Sequence, residues 1–134
     1  MTASTRYTFG TTVAESIDKV RSRVEAALQT EGFGVLTEID VAATLKAKLG
    51  IERPPYLILG ACNPTLAHAA LEAEPSIGAL LPCNVVLRED EPGITAIEFL
   101  DPVVALSIAG ESSIMPIASE ARERLSRVVA AIEG

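Results

Sequence analysis

The chain holds two thiols, Cys62 and Cys83, and each is followed at once by an asparagine, Asn63 and Asn84. Both Cys-Asn pairs fall where an apolar run meets a loop. Tyr56-Leu57-Ile58-Leu59-Gly60-Ala61 leads into the first, and Leu81-Pro82 carries the second to the start of Val85-Val86-Leu87-Arg88. Such junctions are where scaffolds usually carry functional groups. If the two runs are antiparallel neighbours, the end of the first lies beside the start of the second. The thiols are then expected to face each other across one edge of a sheet. His68, the sole histidine, stands about one helical turn beyond Cys62. Cys62, Cys83 and His68 would make a three-ligand set for a soft or borderline metal ion. The same groups could serve as a nucleophile with a nearby base. Cys62 also precedes a predicted helix start, where backbone N–H groups and the positive dipole end favour thiolate.

Packing offers the competing explanation. Free cysteine is among the most buried residue types and often acts as a small hydrophobe. Asn63 is accounted for as a helix cap, Asn84 as a partner for loop backbone, and His68 as a solvated helix residue. The interval between the thiols matches no zinc signature. Gly60-Ala61-Cys62-Asn63-Pro64 also reads as a strand, a small-residue turn and a helix start, a geometry that binds anions. It lacks the glycine spacing of nucleotide-binding loops, so a carboxylate or small phosphate is the most it suggests.

The elements that must position these groups follow from periodicity and caps. Tyr7-Thr8-Phe9 alternates as a short strand. Thr12 and Glu15 have capping-box spacing for a helix with Ile17, Val20, Val24, Ala27 and Leu28 on one face, closed by Gly32. Phe33 to Ile39 reads as a strand with Phe33, Val35 and Thr37 on one side. Asp40 caps a short helix, Val41 to Leu49, closed by Gly50. Arg53-Pro54-Pro55 forces an extended approach to the strand at Tyr56 to Ala61, whose apolar character predicts a central place. Asn63 and Pro64 form an N-cap and first-turn pair for a helix through Ala73. The stretch from Glu74 to Pro82 is apolar and irregular. Asp90-Glu91-Pro92-Gly93 turns the next strand into Ile94 to Phe99 as a hairpin. Asp101-Pro102 opens a short helix, and a last helix from about Pro116 to Ile132 carries Ile117, Ala121, Leu125, Val128, Val129 and Ile132 on one stripe. Glu38 and Glu98 would form a carboxylate pair if their strands adjoined.

The 134 residues form a single domain, 1–134, with no repeat, low-complexity tract or linker. The predicted class is α+β: a mostly antiparallel, curved sheet of about five strands with helices packed on one face, a two-layer sandwich. An open second sheet face beside an all-apolar strand predicts a homodimer. Aromatic residues make up only 4%, so the core is aliphatic. A formal charge of -7 argues against binding phosphate backbones and hence nucleic acid. No apolar run is long enough for a membrane span. The polar stretch from Met1 to Thr5 lacks a signal-peptide core, which points to the cytoplasm and to reduced thiols.

Several stretches together resemble the domain-of-unknown-function family 302. They are Glu31-Gly32-Phe33-Gly34-Val35-Leu36-Thr37-Glu38-Ile39-Asp40-Val41, Tyr56 through Asn63-Pro64, Glu74-Pro75 with Ile77-Gly78, Leu80-Leu81-Pro82-Cys83-Asn84-Val85-Val86, and Asp101-Pro102. The resemblance spans nearly the whole chain. It implies a small α+β fold with a curved antiparallel sheet and a homodimeric habit, and it implies no activity, cofactor or catalytic residue.

The function expected from these residues is binding of a small ligand or soft metal ion by a homodimer, at a pocket lined by Gly60, Cys62, Asn63, Leu81, Cys83 and Asn84. A thiol-dependent enzyme or redox protein with Cys62 as the reactive group is the first alternative. A purely structural or regulatory interaction domain is the second.

Overall fold

A computed structural model describes residues 4–134; Met1 to Ala3, part of the polar N-terminal stretch, lie outside them. In chain order the elements are β1 (Thr8–Val13), α1 (Ile17–Thr30), β2 (Gly34–Asp40), α2 (Val41–Leu49), β3 (Tyr56–Cys62), α3 (Pro64–Ala73), β4 (Cys83–Glu91), β5 (Ile94–Leu100), α4 (Pro102–Leu106) and α5 (Met115–Glu133). Two short 3-10 helices, Pro75–Leu80 and Ser107–Ala109, flank β4 and α4 in sequence. The strands form one sheet in the order β1-β5-β4-β3-β2, and every pairing is antiparallel. This is the α+β sandwich that the residue pattern predicts. The strand at Tyr56 is an interior strand, but β4 holds the middle place.

Alternation along the strands decides the layers. Phe9, Val35, Leu59, Ala61, Val85, Leu87, Ile97 and Phe99 point to one face, where they meet Val20, Val24 and Leu28 of α1 and Leu125 and Val128 of α5. Burying each large aliphatic side chain contributes roughly 1.5–3 kcal/mol, so this face holds most of the stability. A second apolar cluster of Ala70, Ile77, Leu106, Ile114 and Ala118 joins α3, the first 3-10 helix, α4 and the start of α5. The opposite sheet face carries Thr37, Ile39, Ile58, Gly60, Asn84, Val86, Arg88 and Glu98. Among the described residues no helix is long and apolar enough to cross a membrane.

Local chemistry explains the boundaries. Asp40 accepts from the Ala43 N–H at 2.9 Å to start α2, and Gly50, at φ 69°, ends it. At the end of α1, Gly32 (φ 83°) donates to the Gln29 carbonyl and Phe33 to that of Leu28, a Schellman closure. The β4–β5 hairpin turns on Pro92 and Gly93 between the paired Glu91 and Ile94.

Three local expectations need correction. β1 runs on to Val13, and Ser16, not Thr12, is the N-cap of α1. No side chain nearby caps this helix; its Ile17 N–H donates instead to Glu89 Oε1 at 2.8 Å, 72 residues further along. Thr37 leaves the side shared by Phe33 and Val35, because a bulge between Val35 and Thr37 shifts the register and pairs Thr37 with Gly60. Glu38 and Glu98 sit on non-adjacent strands and each has a cation of its own, Arg21 and Arg88 respectively.

Candidate functional site

The strand ends that carry the cysteines, the end of β3 and the start of β4, do lie side by side. β3 and β4 pair antiparallel, with Gly60 opposite Asn84 and Ala61 opposite Cys83. Cys62 is therefore offset by one position from Cys83. Pleat alternation sends Cys83 to the helix-covered face with Ala61, and Cys62, the last residue of β3, stands at the end of the strand where it borders the same cavity. The two thiols are thus neighbours set one position out of register, both at the border of one cavity and close enough for the charge of Cys62 to act on Cys83. Both are free and half-buried.

Burial also reverses the expected ionisation. It lifts the Cys62 thiol above its ordinary value despite the helix start that follows. Burial and then the charge of Cys62 push Cys83 up to about 11. Both thiols are protonated at neutral pH, which removes the activated thiolate that the enzyme reading requires. His68 is exposed on α3. Among the described residues no three of His, Cys, Asp and Glu gather as a metal-holding group, so Cys62, Cys83 and His68 do not form the expected ligand set.

Asn63 is the polar anchor of the region. It is buried, its Oδ1 accepts from the Leu66 N–H at 3.1 Å, and its Nδ2 donates to the Glu31 carbonyl at 3.4 Å. Arg124 donates to the same carbonyl at 3.2 Å, so α1, α3 and α5 meet at one oxygen. Both ends of the asparagine amide are thus engaged in holding the start of α3 against the end of α1.

What the junction builds is an apolar cavity. It lies between the end of the sheet and α3, α4 and α5, with a volume of about 40 Å³. Phe33, Ala61 and Cys83 form its sheet side; Leu66, Ala67 and Ala70 of α3 form a second wall. Pro102, Leu106, Ile117 and Ala121 close it, while Cys62, Asn63, Leu81 and Pro82 border it. Four of the six sequence-predicted residues, Cys62, Asn63, Leu81 and Cys83, thus line the cavity. Gly60 and Asn84 do not, because they face the other side of the sheet. At Gly60 a side chain would run into Thr37 and approach the Pro82 ring to 2.9 Å, so its role there is close packing. The α3, α4 and α5 walls went unread in the sequence. The small residues Ala67 and Ala70, one turn apart on α3, were the available signal, since paired alanines on an inward face leave room.

The chain matches the family model described as "Domain of unknown function DUF302" over residues 9–132. No curated protein matches it. It is similar to the solved structure of an uncharacterized conserved DUF302 protein from Bacillus stearothermophilus, at 28% identity and a TM-score of 0.86, covering 95% of this chain and 98% of that one. The chain belongs to the DUF302 family, a domain of unknown function.

Proposed function

We propose that this protein binds the apolar end of a small molecule in the cavity between the sheet end and α3, α4 and α5. The observation that carries the reading is the cavity wall, which is almost wholly apolar and is bordered by two protonated thiols. About 10–15 Å³ accommodates one water, so 40 Å³ takes a short alkyl group and not a drug-sized body. The remainder of such a ligand stays outside, beside Cys62 and Leu81. Apolar cavities of this kind stay dry and accept apolar guests. Neutral thiols suit that role, since they contribute polarizable, weakly polar surface.

The test is an NMR titration with xenon and with straight-chain alcohols from ethanol to hexanol. Saturable shifts are expected at Ala61, Leu66, Ala70 and Cys83, and they should vanish in Ala67→Leu, which fills the space. Shifts that are absent, or that persist unchanged in Ala67→Leu, would remove this reading.

A further inference from the structure

We propose that the open groove between the two 3-10 helices docks a short cationic, amphipathic segment of another protein, aliphatic on one face with Lys or Arg beside it. The groove shares no lining residue with the apolar cavity, so this stands independently of what the cavity binds.

The first observation is the groove itself. Ile77, Ala79 and Leu80 of the first 3-10 helix form one side, Ile108 and Ala109 of the second form the other, and Glu74 stands at the rim. The volume between them is about 370 Å³. Ile77 is buried in the cluster beneath, which fixes the floor. Ile108 is 76% exposed. α4 runs straight into the second 3-10 helix, so Val104, 41% exposed, lies one turn before Ile108 on the same stripe. Neighbouring uncovered aliphatics beside a formed groove mark an interaction site.

The second observation is the local charge. No Lys or Arg occurs in residues 54–87 or 89–121, the stretches that build α3, both 3-10 helices and α4. Their one basic side chain besides is His68. The same stretches place Glu72 and Glu74 at the end of α3 and Glu111 just after the second 3-10 helix. Elsewhere carboxylates have cations of their own: Glu31 has Arg127, Glu38 has Arg21, Glu98 has Arg88 and Asp101 has Arg122. Among the described residues Glu72, Glu74 and Glu111 enter no ion pair. Glu74 accepts only the Ser76 N–H, at 3.4 Å.

Together these features choose the occupant. The groove calls for aliphatic anchors, and carboxylates without internal partners call for cations. A short peptide segment that interleaves the two supplies both, the helix-in-groove mode of recognition. Nucleic acid, an anionic membrane surface or an acidic protein would bring like charge to the rim. A second copy of this chain is the poorer occupant, because most of its arginines, Arg21, Arg88, Arg122 and Arg127 among them, are already held by its own carboxylates.

Calorimetric titration of the full chain with three synthetic peptides of about 12 residues tests the proposal. The first carries Leu at helical spacing with Lys between; the second has Glu for every Lys, and the third Ala for every Leu. The first is expected to bind at tens of micromolar in low salt, on the order of 10-fold tighter than either other, with NMR shifts centred on Leu80 and Ile108. Ile108→Ser, at an exposed residue, should weaken it on the order of 10-fold. Glu72→Gln and Glu111→Gln should each weaken it about 2–5-fold. Ile94→Ser, at an exposed isoleucine beside another acidic run, Glu89-Asp90-Glu91, should leave binding unchanged, as should the cavity-filling Ala67→Leu. Circular dichroism confirms that each variant folds. Absence of saturable binding, equal binding of the Glu peptide, an unaltered Ile108→Ser, or equal loss in Ile94→Ser or Ala67→Leu would each overturn it.

Discussion

Replacing Asn63 by alanine separates the cap from any ligand-binding role for this residue. The substitution removes the acceptor for the Leu66 N–H and the donor to the Glu31 carbonyl. Loss of an N-cap costs about 1 kcal/mol, within a range of roughly 0.5–2. The second bond, at 3.4 Å, is near the limit of useful geometry and adds a few tenths at most. Glu31 keeps its Arg124 donor, so no buried carbonyl is orphaned. The expected destabilisation is therefore about 1–1.5 kcal/mol. With a urea m-value of roughly 2 kcal/mol/M, the midpoint should fall by about 0.5–0.8 M. Asn63→Ser restores an acceptor of the right kind and should recover most of that loss. Asn63→Asp keeps the cap but directs a carboxylate oxygen at the Glu31 carbonyl, so it should recover less than serine. Urea unfolding followed by circular dichroism measures all three. An alanine variant within 0.3 kcal/mol of wild type, or an aspartate variant more stable than the asparagine, would show that the argument from the cap is wrong.

Other consequences are as direct. Cys83, held near a pKa of about 11 by burial and by Cys62, should resist iodoacetamide at pH 8 and react faster as pH rises toward 11; mass spectrometry giving an apparent value below the ordinary thiol's would contradict this. Glu89 lies below the usual carboxylate range because the Gly93 and then the Ile17 N–H donate to it. Its contribution is complete above the unfolded value of 4.5 and is lost as pH falls through the lower folded value. Stability should thus drop more steeply on acidification below pH 4.5 in wild type than in Glu89→Gln, as read by thermal melts across that range. Gly60→Ala forces a methyl against Thr37 and Pro82 and should cost about 1–3 kcal/mol, partly recovered in Gly60→Ala/Thr37→Ala; an unchanged midpoint for the single variant would refute the packing role.

Legibility in the sequence tracked how local each determinant is. α2 and α3 begin and end where the residues predict, because Asp40, Gly50, Asn63 and Pro64 act within a few positions of themselves. The start of α1 was misplaced because its cap acceptor, Glu89, belongs to a distant strand. The side taken by Thr37 was misread because a bulge costs one residue of register and leaves no mark in composition. The neighbourhood of the two Cys-Asn pairs was legible from the antiparallel pairing of their strands. Their offset by one position was not, since the register of a pairing leaves no mark in composition. The cavity was legible only along its sheet side, for its other walls come from three helices whose convergence no local pattern encodes.

The antiparallel ladder joins β1 to β5, so the first of the five strands in chain order is hydrogen-bonded to the last. On the ribosome, Thr8–Val13 must stay without its partner until Ile94–Leu100 has emerged. The β4–β5 hairpin, by contrast, closes over a two-residue turn. The ladder between β4 and β5 is thus a local closure, whereas β1 joins the sheet only across a long sequence separation, the kind of contact that slows folding.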